Sequence, residues 1–157
     1  MPDRIDERLA ALGLVLPGPY PPHDPLDAVI VHDRVARTSG QLPRDHDGNL
    51  VHLGVVGADV TVEEGTEAAR WCALNALSVL RDALGGLARV ERVLTVLGFV
   101  ASAPGFAQQP AVVDGASRLL FDVFGDAGRH TRSAIGVAAL PRGGAVEIEV
   151  EVAVRPV

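Results

Sequence analysis

The chain predicts an α+β fold in which both long helices cover one face of a β-sheet. Three observations carry that expectation. The apolar periodicity runs in the order strands, helix, strand, helix, two strands, with no internal repeat. Val146, Ile148, Val150, Val152 and Val154 alternate with Glu147, Glu149 and Glu151, so the last strand has one apolar and one charged face. Thr61 and Glu64 stand at capping-box spacing before a long Ala- and Leu-rich run.

The elements follow in order. Asp3 to Leu12 reads as a short amphipathic helix, with Ile5, Leu9 and Leu12 at helical spacing and Gly13 as its stop. LPGPYPPHDP is too rich in proline for helix or sheet and is expected to be an ordered loop, so residues 1–26 form an N-terminal helix and loop on a single domain spanning 1–157. AVIVHDRVARTSG reads as two strands around a tight turn at His32 to Arg34, and RDHDGN as a turn with its tip at Asp47-Gly48. The helix opened by Thr61 carries Trp71, Leu74, Leu77, Ser78 and Leu84 and ends at Gly85-Gly86. Val90 to Ala101 is a long strand, Ala111 to Phe124 a second helix, and Arg132 to Leu140 and Ala145 to Val154 the last strands.

Composition removes several classes of function. A 48% apolar fraction suits a compact core. The formal net charge of −6 argues against nucleic acid as a partner, because phosphate binding needs a basic face. All 14 basic residues are arginines, so no lysine can hold a Schiff base or pyridoxal phosphate. A single cysteine, a charged N-terminus and a longest uncharged run broken by Gly98, Pro104, Gly105 and Pro110 point to a cytoplasmic protein that enters no membrane. His23-Asp24, His32-Asp33 and Asp45-His46-Asp47 lie in turn-like segments without paired ligand spacing, so no metal is expected. There is no G-x-S-x-G elbow, G-x-G-x-x-G loop or P-loop, and no cofactor is expected. Cys72, mid-helix beside Trp71, reads as a buried structural thiol.

Two features remain. Arg132 heads a strand whose same side carries Ala134, Gly136, Ala138 and Leu140, a row of small residues with room beside a guanidinium. Arginine presents a rigid fork that binds a carboxylate through two parallel hydrogen bonds; the plainer alternative is a surface arginine at a strand end. Gly40, in Ser39-Gly40-Gln41-Leu42-Pro43, suits close approach of a ligand to the backbone, or a simple turn. If the last two strands were a hairpin around Arg142-Gly143, Glu147 would face Ala138 and lie on the order of 20 Å from Arg132. One site using both residues then needs a different strand order or a second subunit.

TSGQLP, the Ala- and Leu-rich helix, GFVASAPGF and RSAIGVAALPRGGAVEIEVEVAV together resemble the RidA/YjgF family of reactive-intermediate imine deaminases, also labelled endoribonuclease L-PSP. The resemblance runs from about Val35 to Val154, and GRHTRSAIGVAALP is most similar to a less studied branch. It implies a chorismate-mutase-like mixed sheet with the last strand inserted centrally, and a homotrimer with clefts between subunits. It implies that Arg132 grips the carboxylate of a 2-iminoacid or 2-aminoacrylate and that Glu147 positions the attacking water. Gly40 would give a backbone contact, and Phe106 and Tyr20 would match cleft aromatics, although about six extra residues separate Tyr20 from SGQ. Asp114 stands where the family has an asparagine and Ala134 where it often has a cysteine. The implied activity is hydrolysis of imino or enamine acids to 2-ketoacids and ammonia. The alternatives are a non-catalytic sensor of small carboxylates and, against the acidic charge, a ribonuclease.

Overall fold

The computed structural model describes residues 4–157. Helix α1 (Arg4–Ala11) is followed by Gly13 at φ +68°, and its expected start at Asp3 lies outside the described residues. The proline-rich loop is held down by side chains of later elements: Ser78 donates to the Pro17 carbonyl, and His46 Nε2 lies 2.8 Å from the Val15 carbonyl. Strands β1 (Val29–His32) and β2 (Val35–Thr38) pair antiparallel around Asp33 and Arg34, both at positive φ as a two-residue hairpin requires. At the next turn Asp45 Oδ1 accepts from the Asp47 and Asn49 amides, and Gly48 takes φ +83°.

Helix α2 (Val62–Leu84) begins with the expected capping box, Glu64 N donating to Thr61 Oγ1 and Thr61 N to Glu64 Oε2, and ends at Gly85 in the left-handed region. It is buried on far more than one stripe, because it packs both on the sheet and along helix α3 (Gln109–Phe124) beside it. The latter starts two residues earlier than expected, with Pro110 in its first turn, where proline lacks only an amide that has no helical partner. Strand β3 (Val90–Ala101) has its expected bounds, β4 (Thr131–Val137) stops three residues short of Leu140 where a short turn at Pro141–Gly143 intervenes, and β5 (Val146–Val154) closes the chain.

The sheet order is β1-β2-β5-β3-β4. β5 therefore lies in the middle, antiparallel to β2 and to β3, while β3 and β4 run parallel and are joined by α3. The last two strands are not a hairpin. All five aliphatic residues of β5 are buried under the helices, and Glu147, Glu149 and Glu151 face the other side. The fold is the α+β, chorismate-mutase-like architecture, with the helices on one side of the sheet. No helix among the described residues is long and apolar enough to cross a membrane.

The two long helices approach each other through Gly115, where a Cβ would stand 2.0 Å from the Thr66 carbonyl oxygen. Alanine there gains about 1 kcal/mol in helix propensity, yet it must push one backbone off another, which costs roughly 1–3 kcal/mol. Because the obstacle is main chain and cannot rotate away, Gly115→Ala is expected to lower the urea midpoint with an unchanged m value.

Candidate functional site

Arg132 lies on the outer strand β4, paired with Val96 of β3, and projects to the helix side. Its Nη1 donates to Asp114 Oδ1 at 2.8 Å and to Ser117 Oγ at 3.2 Å, both from α3. Among the described residues its Nε and Nη2 have no hydrogen-bond partner, and the side chain is 21% exposed. The row of small residues beside it is not the open pocket expected from the sequence. Ala134 packs against the core, and a Cβ on Gly136 would lie 2.8 Å from Gln109 Nε2 and 3.0 Å from Ser102 Oγ. Ala138 and Leu140 fall beyond the strand. The small side chains let α3 and the end of β3 come close.

Glu147 sits near the start of β5 on the opposite face. A Cβ on Gly40 would stand 2.0 Å from Glu147 Oε1, so the glycine admits the carboxylate of its own chain. Gly40 needs no positive φ, so the close approach of Glu147, and not its backbone conformation, is what requires glycine here. Its neighbour Gln41 exchanges both backbone hydrogen bonds with Ile148, fixing the loop across the strand at this point. Burial pushes the Glu147 carboxyl above its ordinary range, the charge of Glu149 pushes the same way, and Arg44 opposes them.

Arg44 was not marked by the sequence, where it reads as the first residue of a turn. It is buried, its guanidinium lies 3.6 Å over the Tyr20 ring, and burial lowers its pKa. Tyr20 stacks on Arg44, and the charge of Arg44 in turn acts on Glu147. Ser117 and His130 were also missed, since residues 13 apart on a helix and a loop form no recognisable spacing.

The strand register decides what can meet. Glu147 pairs with Phe99, and Phe99 with Ile135. Arg132 is two strands across and three residues along from Glu147, about 14 Å between Cα atoms. An odd offset puts the two side chains on opposite faces. The central position of β5 shortens the separation that a hairpin would impose, but it does not unite the pair within one subunit. Phe106 packs against Gly57, five residues past the end of β3, and is joined to neither.

Two separate side-chain clusters therefore lie on one chain, Arg132 with Asp114 and Glu147 with Gly40. A family model described as "YjgF/chorismate mutase-like, putative endoribonuclease" matches residues 6–146. The chain belongs to this family. It is 43% identical over 147 residues to Protein TCP17 of Trypanosoma cruzi, covering 93% of this chain and 91% of the relative. It is similar to the structure of Atu1372 from Agrobacterium tumefaciens, described as having unknown function, at 39% identity and a TM-score of 0.87, covering 96% of this chain and 91% of the other. A "putative endoribonuclease" from Shewanella oneidensis MR-1 superposes with a TM-score of 0.92 at 32% identity, covering 97% and 100%. These likenesses extend across the N-terminal helix and proline-rich loop, which the RidA/YjgF wording in the sequence did not cover.

The raised carboxyl pKa has a thermodynamic consequence. A folded state that holds its proton more tightly than the unfolded chain is destabilised when that group ionises, so this stability is present at low pH and is lost as pH rises through the folded pKa. Glu147→Gln is expected to melt above wild type at pH 7. The gap should close as pH falls into the ordinary carboxylate range, where wild-type Glu147 is protonated too; calorimetric scans between pH 4 and 8 measure it.

Proposed function

We propose that the chain hydrolyses reactive 2-imino and enamine acids to 2-ketoacids and ammonia, acting in the cytoplasm as a homotrimer with its cleft between subunits. The observation that carries this reading is the open edge of a largely enclosed guanidinium. Nη1 of Arg132 is held by Asp114 and Ser117, while Nε and Nη2 are left without partners among the described residues. Those two donors are the pair that takes a carboxylate bidentately. The ligand it fits is a small carboxylate-bearing metabolite.

The chemistry asks little more. An imine carbon is electrophilic already, so the protein docks the acid group, places one water and releases ammonia. Glu147, supplied by a neighbouring subunit, accepts the proton of the attacking water, and its raised pKa makes it a stronger base than a solvated carboxylate. Gly40 leaves room for that carboxylate at the backbone. Tyr20 and Phe106 supply cleft walls. Asp114, half exposed, fixes one arm of the fork and leaves negative charge near the acid group, which favours small substrates with one carboxylate. Ala134 means that no thiol takes part beside Arg132. Cys72 is buried, donates to the Val146 carbonyl and is held protonated by burial, so it supplies none either.

The Asp114 contact also favours a second reading, a carboxylate sensor that binds without turnover. Ammonia release from 2-iminobutyrate, generated in place by an amino-acid oxidase, separates the two. Wild type is expected to accelerate it; 2-oxobutyrate binding without any acceleration would leave the sensor. Arg132→Lys keeps the charge but loses the fork, and is expected to weaken 2-oxobutyrate binding in calorimetry by roughly ten- to a hundredfold. Affinity equal to wild type would make Arg132 a structural strand-end residue.

Glu147→Gln is expected to slow turnover with ketoacid affinity unchanged, the pattern of an interaction used in the transition state. Glu149→Gln should only move the acid limb of the pH profile downward, because it removes one cause of the raised Glu147 pKa. Subunit sharing is tested by mixing. Arg132→Ala and Glu147→Gln chains, each inactive alone, should recover roughly a quarter of wild-type activity when co-assembled at random in a closed ring. No recovery, or a monomer by light scattering, rejects the shared cleft.

A further inference from the structure

A cavity of about 540 Å³ opens where α1 meets the C-terminal end of α3, the turn before β3 and the residues after β5. That volume is in the range of small-molecule sites. Val90 and Val123, both buried, and Ile5 and Phe124, both half-buried, give it an apolar floor. Arg4, Arg8 and Arg155, all exposed, stand at its rim. Val90 precedes Val96, the strand partner of Arg132, by six residues, so about 20 Å of β3 separates this cavity from the proposed carboxylate clamp.

Two of these arginines are held in place without being neutralised. Arg155 Nη1 donates to the Ala88 and Val90 carbonyls at 2.6 and 2.8 Å, and Arg8 Nε donates to the Asp122 carbonyl at 2.8 Å. A carbonyl oxygen accepts a hydrogen bond but carries no net charge. Among the described residues none of the three arginines is in an ion pair. Nε and Nη2 of Arg155 and both Nη nitrogens of Arg8 have no hydrogen-bond partner there either. Of the two carboxylates at the rim, Glu91 is taken by Arg34 at 2.6 Å, which leaves Glu7 alone against three guanidinium groups. Two positive charges stand uncompensated, in a chain whose formal net charge is −6. The C-terminal end of α3 offsets them by about half a charge.

We propose that this cavity binds a phosphate monoester with a small apolar or aromatic body. Such an ester carries roughly −1.5 to −2 charges at neutral pH, which matches the surplus; a carboxylate would leave part of it unanswered. The planar fork of arginine takes phosphate oxygens in pairs, and Arg8 and Arg155 each present one free edge. Both side chains are already anchored on the backbone, so binding orders little more. The apolar floor receives the organic body, and the ester therefore binds more tightly than inorganic phosphate. Arg4 and Arg8 belong to α1 and Arg155 to the chain beyond β5, so the ligand ties the N-terminal helix to the sheet. The site does not depend on the deaminase reading.

Calorimetric titration of the full chain with phenyl phosphate, inorganic phosphate and benzoate tests this. Phenyl phosphate is expected to bind about tenfold or more tighter than either of the others. Arg8→Gln should weaken it roughly tenfold, and Ala127→Phe, which keeps every charge but fills the floor, should do so too. Arg81→Gln makes the same charge change outside the cavity, and Arg132→Lys removes the other fork; both should bind phenyl phosphate as wild type does. Should Arg8→Gln fail to fold, Arg4→Gln takes its place, since that side chain has no hydrogen bond to lose among the described residues. Benzoate binding as tightly as phenyl phosphate overturns the match to a dianion. Inorganic phosphate binding as tightly as the ester overturns the apolar floor. An equal loss in Arg81→Gln or Arg132→Lys overturns the location, and no binding at millimolar phenyl phosphate overturns the site.

Discussion

Everything in this molecule depends on where β5 is inserted. A strand with five aliphatic side chains on one face and three glutamates on the other can only be central if helices cover the first face and the second stays polar. It is hydrogen-bonded on both sides, to β2 and to β3, so its register fixes theirs. That register sets the distance from Glu147 to Arg132, the loop that brings Gly40 under the Glu147 carboxylate, and the strand over which α2 lies. A one-residue slip of β5 would turn the glutamates into the core, which is why this register is so strongly specified.

The site regions are where the structure departs from its cheapest arrangement. Arg44 is buried without a carboxylate in salt-bridge contact among the described residues, its Nε has no partner, and neither has the buried Gln41 Oε1 in the same loop. Glu147 is partly desolvated and shares a strand face with Glu149 and Glu151. Buried polar groups lacking partners cost stability and are expected to be few in a native fold. The two here, Arg44 Nε and Gln41 Oε1, lie in the loop that Gln41 ties to Ile148 near the start of β5. Arg132 is the contrast. Its charge is partly answered by Asp114 and its position is held by Ser117, so the proposed carboxylate contact would cost little ordering.

Much of this could be read from the residues. The capping box of Thr61 and Glu64, the left-handed Gly85 stop, the bounds of β3 and the two faces of β5 rest on local rules of period and turn chemistry, and the structure repeats them. The end of β4 was less clear because Ala138, Ala139 and Leu140 continue an apolar pattern, and only the turn at Pro141–Gly143 breaks the strand early. The small residues after Arg132 look like an empty pocket in sequence because nothing local says that α3 fills it. Arg44, Ser117 and His130 were invisible for a related reason. Their character comes from partners far away in the chain: Tyr20 for Arg44, and each other and Arg132 for Ser117 and His130.

The sequence by itself determined the two faces of β5, the capped start and glycine stop of α2, the absence of lysine chemistry, and the family to which the chain belongs. Those follow from side-chain type and short-range spacing, which a linear string records in full. The tertiary structure decided the strand order, the opposite faces of Arg132 and Glu147, the occupation of Gly40 by a carboxylate, and the hydrogen-bond chain from Gly128 to Arg132. These are long-range pairings. They depend on which hydrogen-bonding edges meet and on how much backbone each contact can desolvate, and no local pattern carries that information.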